Sequence, residues 1–145
     1  MDIFSLARLA KSKGASDLHL IVASPPLFRI KGSIEPVTDM ALTSEDITRF
    51  FNQITSDKER ENFHQHQELD FGYTVPEVGR LRCNAAKQRG TISLVIRLLP
   101  PIIPHLSELG VPEVCKDLVL KPRGLVVVSG PTELKAKLVQ PSPRV

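Results

Sequence analysis

Three segments in the middle of this chain fix most of what it can fold into. Leu69 to Val75, Arg80 to Lys87 and Thr91 to Leu98 read as strands, rich in apolar residues and bounded by turn signals. Only Pro76-Glu77-Val78-Gly79 and Gln88-Arg89-Gly90 separate them. Turns this short join antiparallel neighbours, so the three should form a meander. A parallel pairing would need a crossover of about a dozen residues.

The residues upstream supply helices to cover such a sheet. Asp2 can cap a helix whose apolar face is Ile3, Leu6, Ala7 and Ala10. Lys11 and Lys13 suit its negative end, and Gly14 stops it. Leu18, Leu20 and Val22 then alternate with Asp17, His19 and Ile21, a strand pattern. After a Pro25-Pro26 turn, Leu27 to Ile30 and Ile34 to Val37 predict two more short strands. Thr43 with Asp46 and Ser56 with Glu59 are spaced as capping boxes. They open a helix with Ile47, Phe50, Phe51 and Ile54 on one face, then a short polar helix ending near His66. Helices and strands without regular βαβ alternation predict an α+β domain, an antiparallel sheet flanked by helices.

Pro100-Pro101-Ile102-Ile103-Pro104 cannot continue a central strand, because proline offers no N–H to the ladder. It reads as a stiff linker over 100–104, closing a domain over 1–99. Beyond it, Pro112 is placed to open a helix through Leu118, and Gly124 to Ser129 reads as a continuously apolar strand of the kind buried on both faces of a parallel sheet. Residues 105–132 therefore read as the start of a second domain, and the polar, proline-bearing tail 133–145 as disordered.

That last strand runs into Gly130-Pro131-Thr132 as a phosphate loop would begin. The full G-x-x-x-x-G-K-[ST] pattern then needs a glycine, a lysine and a hydroxyl residue, and the chain has Lys135, Ala136 and Lys137. The backbone cradle, the cation for the β and γ phosphates and the Mg²⁺ ligand are all missing from the sequence. Gly130, Pro131 and Thr132 keep a few N–H donors; a plain strand-end turn is the simpler reading.

Other chemistry is sparse. A net charge of +3 is too small to argue for nucleic acid, and there is no basic run with interleaved aromatics. No apolar run approaches the ~20 residues of a membrane span, so no membrane insertion is expected. Cys83 and Cys115 lack CxxC spacing and read as reduced thiols of a cytoplasmic protein. His64 and His66 flank Gln65, but no ligand lies at matching spacing, so no metal site is expected. His19 faces away from Leu18 and Leu20 and suggests a structural hydrogen bond. Asp17 with Glu35, or Asp70 with Glu77, have nothing placing a substrate between them. No catalytic residue is assigned.

One ordered set of short motifs carries more. Gly14-Ala15-Ser16-Asp17-Leu18-His19-Leu20, Pro26 with Phe28-Arg29 and Lys31-Gly32, Glu68-Leu69-Asp70-Phe71, Gly79-Arg80-Leu81-Arg82-Cys83-Asn84, Val95-Ile96-Arg97, Leu109-Gly110-Val111-Pro112 and Pro122 to Thr132 follow in turn. Together they resemble the opening of the PilT-type twitching-motility ATPases, the type IV pilus retraction motors of the secretion ATPase superfamily. The likeness covers roughly residues 1–132 and breaks at Glu133, where the family continues Gly-Ser-Gly-Lys-Ser-Thr. It implies a PAS-like N-terminal domain, a linker, and the first helix and strand of a truncated RecA-like motor domain. The abrupt break suggests a frameshift or mis-joined gene.

The resemblance also implies a site. In related ATPases, arginines of this domain reach the γ-phosphate of the nucleotide. Arg82 and Arg97, on neighbouring strands near the linker, are the pair that match, and arginine presents phosphate oxygens with a planar fork of donors. The plain alternative is two solvated arginines, or one paired with Asp70 or Glu68 across the sheet. The family uses ATP and Mg²⁺, neither of which this chain is expected to bind tightly alone. Its expected partners are neighbouring subunits of a hexameric ring and the inner-membrane pilus platform protein. The competing expectation is a free-standing, non-catalytic module that binds such rings or pilus-base proteins.

Overall fold

A computed structural model of the chain describes residues 2–100, 102, 105, 108, 112–125 and 127. The chain divides into two compact units, Met1–Pro101 and Ile102–Val145.

The first unit is a six-stranded antiparallel sheet with three helices. In chain order it runs α1 (Ile3–Ser12), β1 (Asp17–Leu20), β2 (Leu27–Ile30), β3 (Ser33–Pro36), α2 (Ser44–Ile54), α3 (Asp57–His66), β4 (Glu68–Val75), β5 (Gly79–Gln88) and β6 (Thr91–Leu98). The sheet order is β3-β2-β1-β6-β5-β4. Two meanders are thus joined along β1 and β6, where Asp17 stands opposite Arg97 and Leu18 opposite Ile96. The expected meander forms β4, β5 and β6, and the turn Arg89-Gly90 closes its second hairpin with positive φ at both residues (50° and 83°). That twist matches the strands on either side, and glycine takes it at no steric cost.

Local signals set the helices. The Asp2 carboxylate accepts from the Ser5 N–H, and Gly14 follows α1 at φ 66°. Thr43 with Asp46 and Ser56 with Glu59 form complete capping boxes, each pair satisfying two otherwise unpaired backbone donors. These contacts start the helices where the sequence placed them.

Packing follows the alternation of the strands. Leu18, Leu20, Phe28, Leu69, Phe71, Leu81, Cys83, Ala85, Leu94 and Ile96 are buried with Ile3, Leu6, Ile47, Phe50, Phe51 and Phe63 of the helices in one core. Phe51 links α2 to α3 and β4, its ring 4.9 Å from Phe63 and 6.3 Å from Phe71. Fully burying such side chains stabilises by about 1.5–3 kcal/mol each. Residues of the other strand parity are exposed or half-buried, Asp17 excepted. One sheet face holds the core and the other is open, as antiparallel sheets permit.

In the second unit, the described residues include one helix, α4 (Val114–Val119). It starts two residues beyond the expected Pro112. Of the apolar strand expected over Gly124 to Ser129, the described residues Gly124, Leu125 and Val127 are not in a strand, and Leu125 and Val127 are exposed. An apolar strand of that kind is stable only with neighbours on both sides, and no strand pairs with it among the described residues. The rest of that segment and the tail 133–145 lie outside the described residues.

Candidate functional site

The open sheet face carries the polar chemistry. Its positions alternate with the core residues along every strand, so the same pattern that buries Leu18 and Leu20 places Asp17 and His19 on this side. One cross-strand row reads Ile34, Arg29, Asp17, Arg97, Arg82 and Gly72 from β3 to β4.

Asp17 is the hub of the row and is only 4% exposed. Its carboxylate accepts from Arg97 Nε at 2.8 Å and from Ser16 Oγ at 2.9 Å, and Arg29 Nε lies 3.4 Å away. Burial alone would raise the Asp17 pKa. The hydrogen bonds from Arg97 and Ser16 and the charges of Arg97 and Arg29 outweigh it, and the net shift is downward. Asp17 is therefore held as a carboxylate.

Arg82 and Arg97 are direct register partners on β5 and β6. Arg82 Nε lies 3.7 Å from the Asp70 carboxylate, with both side chains well exposed. Each arginine thus meets its acid through Nε. Among the described residues the Nη groups of Arg82 and Arg97 make no hydrogen bond, and such terminal donors suit a phosphate. The structure brings together the two arginines named from the sequence. It also places one of their two expected acid partners, Asp70, beside Arg82. Glu68 instead accepts from Asn84 Nδ2 at 3.4 Å.

His19 follows Asp17 on the same face. Its Nε2 is buried without a hydrogen-bond partner among the described residues, so the expected structural hydrogen bond is not made there. Burial, then the charge of Arg29, lowers its pKa, and the ring is neutral. Arg80 shares the face and leans over Gly72: a Cβ built on Gly72 would lie 2.8 Å from Arg80 Nη2. Arg80, Arg82, Asp70, Gly72 and Leu99 border a shallow depression of about 330 Å³ at this end of the sheet.

The remaining candidates stay apart. Gly130, Pro131 and Thr132 lie outside the described residues. Glu35 stands opposite Phe28 and so on the other face from Asp17. Glu77 pairs with Arg8 and accepts from Lys11 rather than joining Asp70. His66 Nδ1 meets the Asn62 carbonyl in the last turn of α3. Among the described residues no three His, Cys, Asp or Glu side chains come together as a metal site, and no helix is long and apolar enough to cross a membrane. Sequence reasoning missed the roles of Asp17, Arg29 and Arg80. The available signal was the alternation that puts Asp17 beside the face of Arg82 and Arg97.

No protein-family model matches the chain. It is 38% identical over 132 residues to the type IV pilus retractation ATPase PilT of Pseudomonas aeruginosa, covering 91% of this chain and 38% of that protein. It is 34% identical over 132 residues to the type IV pilus ATPase PilU of the same organism, covering 91% of this chain and 35% of that one. The chain thus spans less than two-fifths of the length of these curated relatives. Among solved structures, the pilus retraction motor PilT with bound ADP matches at a TM-score of 0.76 and 34% identity, covering 96% of this chain and 42% of that chain. The Legionella pneumophila ATPase DotB, at a TM-score of 0.66 and 23% identity over 91% of this chain and 39% of that chain, shares the fold. By sequence over 91% of its length and by fold, the chain is related to the PilT-type pilus ATPases and corresponds to their N-terminal part.

Proposed function

We propose that this chain acts as the N-terminal part of a type IV pilus retraction ATPase. It offers Arg82 and Arg97 to the phosphates of a nucleotide held by the motor domain of a neighbouring subunit in a hexameric ring. The observation that carries this reading is that the two arginines are direct register partners on the open sheet face, each meeting its acid through Nε and leaving its Nη donors without a hydrogen bond among the described residues. Paired forks suit the charge of a transferring phosphoryl group, much as an arginine finger does. ATP and Mg²⁺ belong to the neighbour in this scheme. At the positions due to hold the phosphate-loop glycine, lysine and hydroxyl, this chain has Lys135, Ala136 and Lys137. It supplies arginines and subunit packing, not hydrolysis. The same reading puts it in the cytoplasm, at the inner face of the membrane with the pilus platform protein.

The test has two arms. The chain alone with ATP and Mg²⁺ should give no turnover above a buffer blank; turnover would overturn catalytic incompetence. Mixed with full-length PilT subunits, it should co-assemble, and assemblies carrying its Arg97→Gln form should turn over more slowly than those carrying the unaltered chain. Failure to associate, or equal rates, would overturn the reading. The alternative, a free-standing module, predicts association with no difference between the two forms.

A further inference from the structure

Arg80 has no place in that scheme as it stands, and its environment is unusual. It is exposed, on the same face as Arg82, and no ion pair or hydrogen bond of its guanidinium is seen among the described residues. It nevertheless has a defined seat. Its Nη2 would lie 2.8 Å from a Cβ on Gly72, closer than side chains approach one another, so the guanidinium occupies the space that a side chain on β4 would fill. Its own register partner is Thr74, so it reaches diagonally over β4 to Gly72. Arg82, opposite Gly72, reaches diagonally in the same sense to Asp70. The two arginines lean in parallel over the depression that Gly72 and Leu99 also border.

Charge decides what such a depression takes. Arg80 and Arg82 face a single acid, Asp70, which leaves a net positive charge at the rim. Alternate residues of a strand stand about 7 Å apart and neighbouring strands about 5 Å. Arg80 and Arg82, which both lean toward β4, therefore present two forks spaced for linked anions rather than for one small anion, while Arg97 leans the other way, to Asp17 on β1.

We propose that Arg80 is a third anion-contacting arginine, seated by Gly72, and that Arg80 and Arg82 together take a polyphosphate chain. This rests on the reading of Arg82 and Arg97 given above and extends it by one residue and one steric device. Gly72 is a positioning residue and acts only through Arg80. Its φ is not in the left-handed region, so alanine fits the backbone there and only the flexible end of Arg80 must move.

Inorganic tripolyphosphate titrated into the full chain at low salt, followed by calorimetry, tests this. Arg80→Gln and Gly72→Ala should each weaken binding about tenfold, the loss of a hydrogen bond to a charged group. The double substitution should be no worse than Arg80→Gln alone, since both remove one contact. Orthophosphate should bind more weakly than tripolyphosphate. Unaltered affinity in Arg80→Gln would overturn the proposal, and unaltered affinity in Gly72→Ala would overturn the seat. Equal affinity for the two anions would overturn the polyphosphate assignment. Arg97→Gln separates the two ideas: if it weakens binding while Arg80→Gln does not, the extension fails and the original reading stands. If the pattern is reversed, Arg80 is the anion site and the reading of Arg97 fails. Circular dichroism on each variant keeps misfolding apart from lost contact; Arg80→Lys, which keeps charge but not the fork, should fall between.

Discussion

Arg82 and Arg97 face each other across β5 and β6 as direct register partners, two like charges side by side on an open sheet face. Like charges in that position work against folding. The sheet tolerates them because each is met by an acid on its far side, Asp70 on β4 and Asp17 on β1. The pair is an arrangement that stability alone would not favour, which is common where a surface serves a ligand.

Replacing Arg82 with threonine should therefore leave the fold as stable or slightly more so. The change removes one like charge from the pair and loses only an exposed ion pair at 3.7 Å, which contributes little. Urea denaturation should give a change within about 0.5 kcal/mol of zero, or a small gain. A loss above about 1 kcal/mol would mean that the Asp70 contact is structural.

Asp17 behaves in the opposite way. It is buried between two arginines, and Asp17→Asn keeps its size but removes the charge that both arginines meet. The expected loss is about 1–3 kcal/mol, in the range for hydrogen bonds to charged groups. Arg97 should also lose its fixed position, which its Nε–H signal in a nuclear magnetic resonance spectrum would report as faster exchange with water.

Stability should fall with acid in two windows. His19 has a lowered pKa, so the unfolded chain takes up its proton first; its contribution is complete above the ordinary value of 6.5 and is lost as pH falls below it. His19→Gln should flatten the curve between about pH 7 and 5. Asp17 also has a lowered pKa, so its contribution is complete above the ordinary 3.8 and is lost below that value. Asp17→Asn should flatten that lower window and leave the upper one in place. Thermal midpoints across pH measure both.

Much of this fold is legible in the chain because its signals are local. Capping boxes at Thr43 and Ser56, the stop at Gly14 and the Arg89-Gly90 turn lie within a few residues of what they control. The pairing of β1 with β6 is not of this kind. Asp17 and Arg97 are 80 residues apart, and no turn fixes their register. The resemblance made Arg82 and Arg97 nameable as candidates, and Asp17 as the holder of Arg97 was not. The seat of Arg80 depends on an absent side chain at Gly72, which a sequence displays only as a weak strand residue. The apolar pattern from Gly124 likewise specifies a strand only where partners exist to receive it.

The joint between the two meanders should be the point where the core is most sensitive. Leu18 on β1 is fully buried and stands opposite Ile96 of β6 and Phe28 of β2. Leu18→Ala should cost about 2–5 kcal/mol through lost burial and the cavity left behind. Chemical denaturation checks this; a loss under about 1 kcal/mol would mean the sheet closes over the gap.

Cys83 offers a way to watch that core open. It is fully buried on β5, and burial, with a small addition from the charge of Glu59, pushes its pKa up to about 12. A thiol of that kind supplies almost no thiolate near neutral pH and is out of reach of a reagent. Cys115, in the second unit, is only half-buried. Iodoacetamide at pH 8 should add one group to the native chain, at Cys115, and a second only after denaturation. Peptide mass spectrometry assigns the site, and rapid double labelling of the native chain would contradict the buried position. Once Cys115 is blocked, the slow labelling of Cys83 counts openings of the sheet, and Leu18→Ala should speed it in proportion to the stability lost. Arg82→Thr should leave it unchanged, because Arg82 points to the open face and not to the core.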